Sequence, residues 1–167
     1  MIPVRRLNHA VLYVRDAAVS AGWYAEVFGF EVVAEVPGVA VFLRAGGTDN
    51  HHDLGLFTVG ARAPGPERGR VGLYHLAWQV DTVEDLVAAR TELIARGAYV
   101  GQSDHGASRS LYGLDPDGNE FEVMWAVPPE AWGDAAHTAI VRPLDLDATA
   151  ARFGQGATDP SATEPTL

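Results

Sequence analysis

From Leu7 to Trp125 the apolar and polar positions predict one order of elements that occurs twice. LNHAVLYV (7–14) alternates with a period of two, which sets His9, Val11 and Tyr13 on one face of a strand. Asp16 then caps a helix over about residues 17–27, whose Val19, Trp23 and Val27 repeat at helical spacing, and Gly29 ends it. FEVVAEV and VAVFLRA read as two strands about a tight turn at Pro37-Gly38, and HHDLGLFTV as a fourth after the loop GGTDN. The order is β-α-β-β-β.

ARAPGPERGRVG (61–72), with its prolines and glycines, breaks the pattern as a connecting loop. The order then recurs. GLYHLAWQV is a strand with His75, Ala77 and Gln79 on one face and Leu76, Trp78 and Val80 on the other. TVEDLVAARTELIARG is a helix capped at Asp81 or Thr82, apolar at Val83, Leu86, Val87, Leu93 and Ile94, and closed by Gly97. AYVGQ, SRSLYGL and NEFEVMW are three further strands. Laid over LYHLAWQV, LNHAVLYV aligns His9 with His75, an offset of 75 − 9 = 66 residues. We therefore expect a single domain over residues 1–130, with module one at 5–60 and module two at 71–126. A C-terminal extension, 131–167, follows; it holds one short helical segment, DLDATAARF, and its last dozen residues are disordered by composition.

The last two strands flank DPDGN, a strong hairpin signal. Glu122 shares a face with Met124 in the second of them. A carboxylate on an interior face needs a partner, because burying it alone is very costly. Trp23, Trp78 and Trp125 fall on the helix-facing side and are expected in the core.

Composition narrows the function more than the fold. The net charge of −10 argues against nucleic acid and anionic membrane surfaces as partners. With no cysteine there are no disulfides, thiolate metal sites or iron–sulfur clusters. The N-terminus does not read as a signal peptide, since Asn8 and His9 interrupt its apolar run, and no window reaches the apolar length of a membrane span. A cytoplasmic protein is expected.

The chemistry lies in the repeat. His9 and His75 occupy matching places in the two first strands, and Glu122 lies in a last strand. Two imidazoles and one carboxylate make the facial triad of non-haem Fe(II) oxygenases, which keeps other positions open for substrate and O₂. Imidazole also suits Zn, Ni and Cu, so the ligand set alone does not choose the metal.

LNHAVLYVRD, WYAEVFGFEVV, GLYHLAWQV and LDPDGNEFEVMW together resemble the vicinal oxygen chelate superfamily, over residues 7 to about 126. That superfamily spans glyoxalase I, fosfomycin-resistance transferases, methylmalonyl-CoA epimerase, bleomycin-binding proteins and type I extradiol ring-cleaving dioxygenases. The resemblance implies an α+β fold: two βαβββ modules forming a curled mixed sheet, a cup-like half-barrel around a metal, with helices outside. It also implies metal ligation by His9, His75 and Glu122.

Several details are most similar to the extradiol dioxygenases. HHDLGLF resembles their fourth-strand motif, which makes His52 the acid–base catalyst and leaves His51 at the surface, the two pointing to opposite faces. A tyrosine ten residues before the glutamate (122 − 112 = 10) gives Tyr112 the role of holding a substrate oxygen. DHGAS resembles their HGxS and gives His105 a part beside it, although the stretch from His105 to Tyr112 is about two residues shorter than in the two-domain enzymes.

Tyr13, Leu54, Leu56, Gln79 and Met124 share the ligand parity and are expected to line an apolar pocket. The implied activity is cleavage of a catechol-type ring by Fe(II) and O₂, with Mn, Zn or Ni as alternative metals and a homodimer or higher homo-oligomer as the assembly. Two other readings stay open. One is a glyoxalase- or epimerase-like isomerase, which takes a fourth protein ligand from the first module's last strand, here Asp53 or His52. The other is a metal-free drug-binding protein of the bleomycin-resistance kind.

Overall fold

A computed structural model describes residues 1–155 of the 167-residue chain. The disorder expected of the last dozen residues lies outside the described residues. The described chain divides into two compact units: Met1–Val71 with Asp115–Asn119, and Gly72–Leu114 with the chain from Glu120 onward.

The first unit is β1 (Ala10–Val14), α1 (Ala17–Phe28), β2 (Glu31–Val36), β3 (Ala40–Arg44) and β4 (Leu54–Thr58), with sheet order β1-β4-β3-β2. β1 runs parallel to β4 and the other pairs are antiparallel. Asp16 caps α1 by accepting from the Ala18 and Val19 amides, and Gly29 ends it in the left-handed conformation (φ 69°). The buried face of α1 is Ala17, Ser20, Ala21 and Tyr24, whereas Val19 is exposed. The expected Val19-Trp23-Val27 stripe is thus not the buried face: Val19 is exposed, and Trp23 and Val27 are half-buried. Apart from Tyr24, the side chains on that face are small.

The core beneath α1 is Leu12, Val14, Leu43, Leu54 and Leu56, all buried. Leu54 pairs with Ala10 and Leu56 with Leu12, and parallel partners share a face. Leu54 and Leu56 therefore belong to the core, not to the pocket expected of them. Gly55 and Phe57 lie opposite, with Val11 and Tyr13; a Cβ on Gly55 would meet Val11 and Phe42.

The second unit repeats this layout as β5 (His75–Val80), α2 (Val83–Ala95), β6 (Tyr99–Asp104), β7 (Ser108–Leu114) and β8 (Glu120–Ala126), in the order β5-β8-β7-β6. β5 is again parallel to β8. Thr82 and Asp85 form a capping box on α2. Leu76, Trp78 and Val80 pair with Phe121, Val123 and Trp125 on the helix side, and Trp125 is buried there. His75, Ala77 and Gln79 pair with Glu120, Glu122 and Met124 on the other. The fold is α+β, two βαβββ modules with mixed sheets, as the resemblance implies, and among the described residues there is no closed barrel.

The C-terminal extension packs on the second unit. Arg142 bridges Asp104 through both backbone hydrogen bonds, the Leu144 carbonyl accepts from Gln102, and Phe153 of α3 (Leu146–Phe153) meets the Trp125 ring at 5.3 Å. Among the described residues no helix is long and apolar enough to cross a membrane.

Candidate metal and catalytic site

In the second unit the carboxylate that needed a partner has one. Glu122 is buried to 9% exposure, and its Oε2 lies 3.0 Å from His75 Nε2. Two donors held cis on one ion, each about 2.1 Å from it, stand about 3 Å apart, so this spacing suits a shared cation. The other ring nitrogen of His75, Nδ1, is buried, has no hydrogen-bond partner among the described residues and lies 3.9 Å from Glu120.

Tyr112 is the register partner of Glu122 and shares its face. Its hydroxyl is 2.8 Å from His105 Nε2, while His105 Nδ1 is 3.0 Å from the Ile140 carbonyl. A carbonyl only accepts, so Nδ1 carries a proton; in the neutral ring Nε2 is then the acceptor and the tyrosine hydroxyl donates to it. Burial, then the Glu122 charge and Tyr74, raise the Tyr112 pKa, so the phenol keeps its proton at neutral pH. The His105 turn is closed by Gly106 (φ 76°), where a Cβ would lie 2.4 Å from Ala135 Cβ of the extension. Met124 and Gln79 lie on the Glu122 face, Gln79 exposed and Met124 half-buried.

In the first unit β1 starts at Ala10 and β4 at Leu54, so His9 and His52 stand just ahead of their strands rather than within them. His51 and His52 therefore do not alternate across a strand. They meet edge to face on a bend, Nδ1 to Nδ1 at 3.1 Å, and His52 also packs against His9 (centroids 4.5 Å) and Phe42 (5.1 Å). Partial burial, then the neighbouring His9 and His51, lower the His52 pKa, which favours neutral imidazole. Tyr13 is 75% exposed.

Asp53 accepts from the Ala45 amide, the Thr48 hydroxyl and Asn50 Nδ2, at 2.9, 2.9 and 2.6 Å. Burial works against its charge, but these hydrogen bonds outweigh it and hold the pKa below 3.8. Asn50 and Asn8 were not anticipated from the sequence; the one available signal was an asparagine beside each of two histidine-bearing stretches. Among the described residues no three His, Cys, Asp or Glu side chains gather into a metal-holding group.

The register makes the repeat quantitative. Val11 pairs with Gly55 as Ala77 pairs with Glu122, and Phe42 pairs with Gly55 as Tyr112 pairs with Glu122. Gly55 and Phe42 thus hold the first-unit places of Glu122 and Tyr112.

With this geometry the chain belongs to the glyoxalase/bleomycin resistance protein/dioxygenase superfamily, whose family model matches residues 6–123. It is 34% identical over 131 residues to biphenyl-2,3-diol 1,2-dioxygenase 3 of Rhodococcus globerulus, covering 75% of this chain and 67% of that one. It is 32% identical to the catechol-2,3-dioxygenase of Bacillus subtilis (strain 168), covering 75% of this chain but 43% of that longer enzyme. Among solved structures, lactoylglutathione lyase from Agrobacterium tumefaciens superposes with a TM-score of 0.56 at 29% identity, over 74% of this chain and 96% of that one.

Proposed function

We propose that this protein is an extradiol dioxygenase that opens a catechol-type aromatic ring with O₂, using Fe(II) held by His9, His75 and Glu122. The donor set suits such an ion: His75 Nε2 and Glu122 Oε2 converge at 3.0 Å, and imidazole with carboxylate matches the facial triad. The observation that carries the reading against the isomerase is Gly55. It stands in register where a carboxylate from the first unit would repeat Glu122, and it has no side chain. Of the two fourth-ligand candidates in HHDLGLF, Asp53 is tied to Ala45, Thr48 and Asn50, and His52 has its Nδ1 3.1 Å from His51 Nδ1. A three-ligand set leaves room for a bidentate diol and O₂, and the relatives named for biphenyl-diol and catechol cleavage support that choice.

Held by His9, His75 and Glu122, an Fe(II) ion would supply Lewis acidity toward the diol hydroxyls and a redox path to O₂. The chain's residues do the rest. His52, kept neutral and with Nδ1 engaged by His51, takes a substrate proton on Nε2 and returns it later in turnover. Tyr112, with its proton committed to His105, offers its oxygen lone pair and phenol edge to orient a substrate hydroxyl. Gln79 and Met124 shape the approach on the same face.

The test is anaerobic Fe(II) loading, then a panel of mono- and bicyclic catechols with air, watching for the yellow ring-opened product. Iron-replete protein that yields none, or that turns over without consuming O₂, overturns the assignment. His52→Phe is expected to lose at least 10²-fold in kcat while retaining iron; unchanged turnover removes His52 from its role.

A further inference from the structure

The first unit contains a hydrogen-bonded chain whose polarity is set at one end and delivered at the other. Asp53 is a carboxylate and can only accept, so the Asn50 group 2.6 Å from its Oδ1 is the amide NH₂, which also donates to the Asn8 carbonyl at 3.0 Å. Asn50 Oδ1 then faces the other way, where Arg6 donates to it at 2.5 Å. Asn8 reaches the same oxygen with its Nδ2 at 3.0 Å. That orientation leaves Asn8 Oδ1 against His9 Nδ1 at 2.8 Å, and an amide oxygen can only accept. His9 therefore carries a proton on Nδ1, and in the neutral ring the lone pair is on Nε2.

We propose that Asn8, Asn50 and Asp53 are positioning residues that act through His9, fixing its tautomer for Nε2 ligation of a divalent metal. The inference rests on His9 being a ligand. Ligating histidines that donate their second N–H to an anchored acceptor bind metal more tightly, and loss of that acceptor costs 10–100-fold in affinity. Here the acceptor is an amide whose orientation is dictated, one amide further on, by a buried ionised carboxylate. The same Asn50–Asp53 pair closes the loop that carries His51 and His52, so one network sets the ligand and the base.

The experiment uses the full chain. Ring-nitrogen NMR of ¹⁵N-histidine-labelled, metal-free protein at pH 8 reads the His9 tautomer, and cobalt(II) titration reads affinity without turnover. Asn8 is exposed, so its replacement leaves the core intact. Wild type is expected as the Nδ1–H form; Asn8→Ala shifts His9 toward Nε2–H and weakens cobalt binding about 10–100-fold. Asn8→Asp, which restores an acceptor, recovers the Nδ1–H form and most of the affinity. An unshifted tautomer in Asn8→Ala, or unchanged cobalt affinity there while His9→Ala loses it, overturns the relay. Cobalt binding that His9→Ala does not weaken overturns instead the ligand assignment on which the relay depends.

Discussion

At the scale of single residues, position on a strand face decides role, and Leu54 is the sharpest case. Counted from His52 with strand alternation, Leu54 falls on the ligand side. Because the strand starts only at Leu54, the count slips and the residue turns into the core at 0% exposure, beside Leu12 and Leu43. Leu54→Ala is therefore expected to cost about 2–5 kcal/mol of stability through the cavity it leaves. Urea unfolding should show that loss, with KM for a catechol substrate unchanged in the folded fraction. A changed KM at wild-type stability would return Leu54 to the pocket. Glu122 shows the opposite outcome: its alternation with Phe121 and Val123 was legible because the hairpin signal DPDGN anchored the count. What alternation could not reveal was the tautomer of His9, set through Asn8 by an asparagine 42 residues further along the chain from Asn8, or that of His105, set by a carbonyl 35 residues away.

At the scale of elements, the loop between β3 and β4 behaves as a small folded unit around one carboxylate. Three donors converge on Asp53, and its pKa lies below the ordinary 3.8. The sign follows from linkage. A carboxylate whose folded value is depressed contributes stability fully above its unfolded value, and that contribution is lost as pH falls through the folded value. Wild-type unfolding midpoints should thus drop below about pH 4, whereas Asp53→Asn should be less stable near pH 7 by about 1–3 kcal/mol and less sensitive to acid. Parallel acid profiles for the two proteins would show that the loop does not use the charge. The helices teach a related lesson. Caps at Asp16 and Thr82 were readable from local chemistry, but the buried face of α1 was not, because it is made mostly of the small Ala17, Ser20 and Ala21, which carry little hydrophobic signal.

At the scale of the molecule, the repeat was visible from the 66-residue offset between histidines, and the two sheets keep the same strand order. The functional asymmetry within that symmetry is Gly55 against Glu122 and Phe42 against Tyr112. Aligning first strands exposes paired histidines; only the register of the last strands shows which donor has no twin. One unit keeps a carboxylate and a phenol where the other keeps a hydrogen and a phenyl ring. If open coordination is what the ring-opening chemistry needs, restoring the twin should remove it. Nothing but ordinary contact surrounds a Cβ at Gly55, the nearest atoms lying 3.4–3.5 Å away on Val11 and Phe42. Gly55→Glu is expected to retain or tighten metal binding while lowering ring-cleavage kcat at least tenfold. Stopped-flow product absorbance and metal titration on the same preparation separate the two effects. Full ring-cleavage activity in an iron-loaded Gly55→Glu variant would mean that the missing donor is not what keeps the site open.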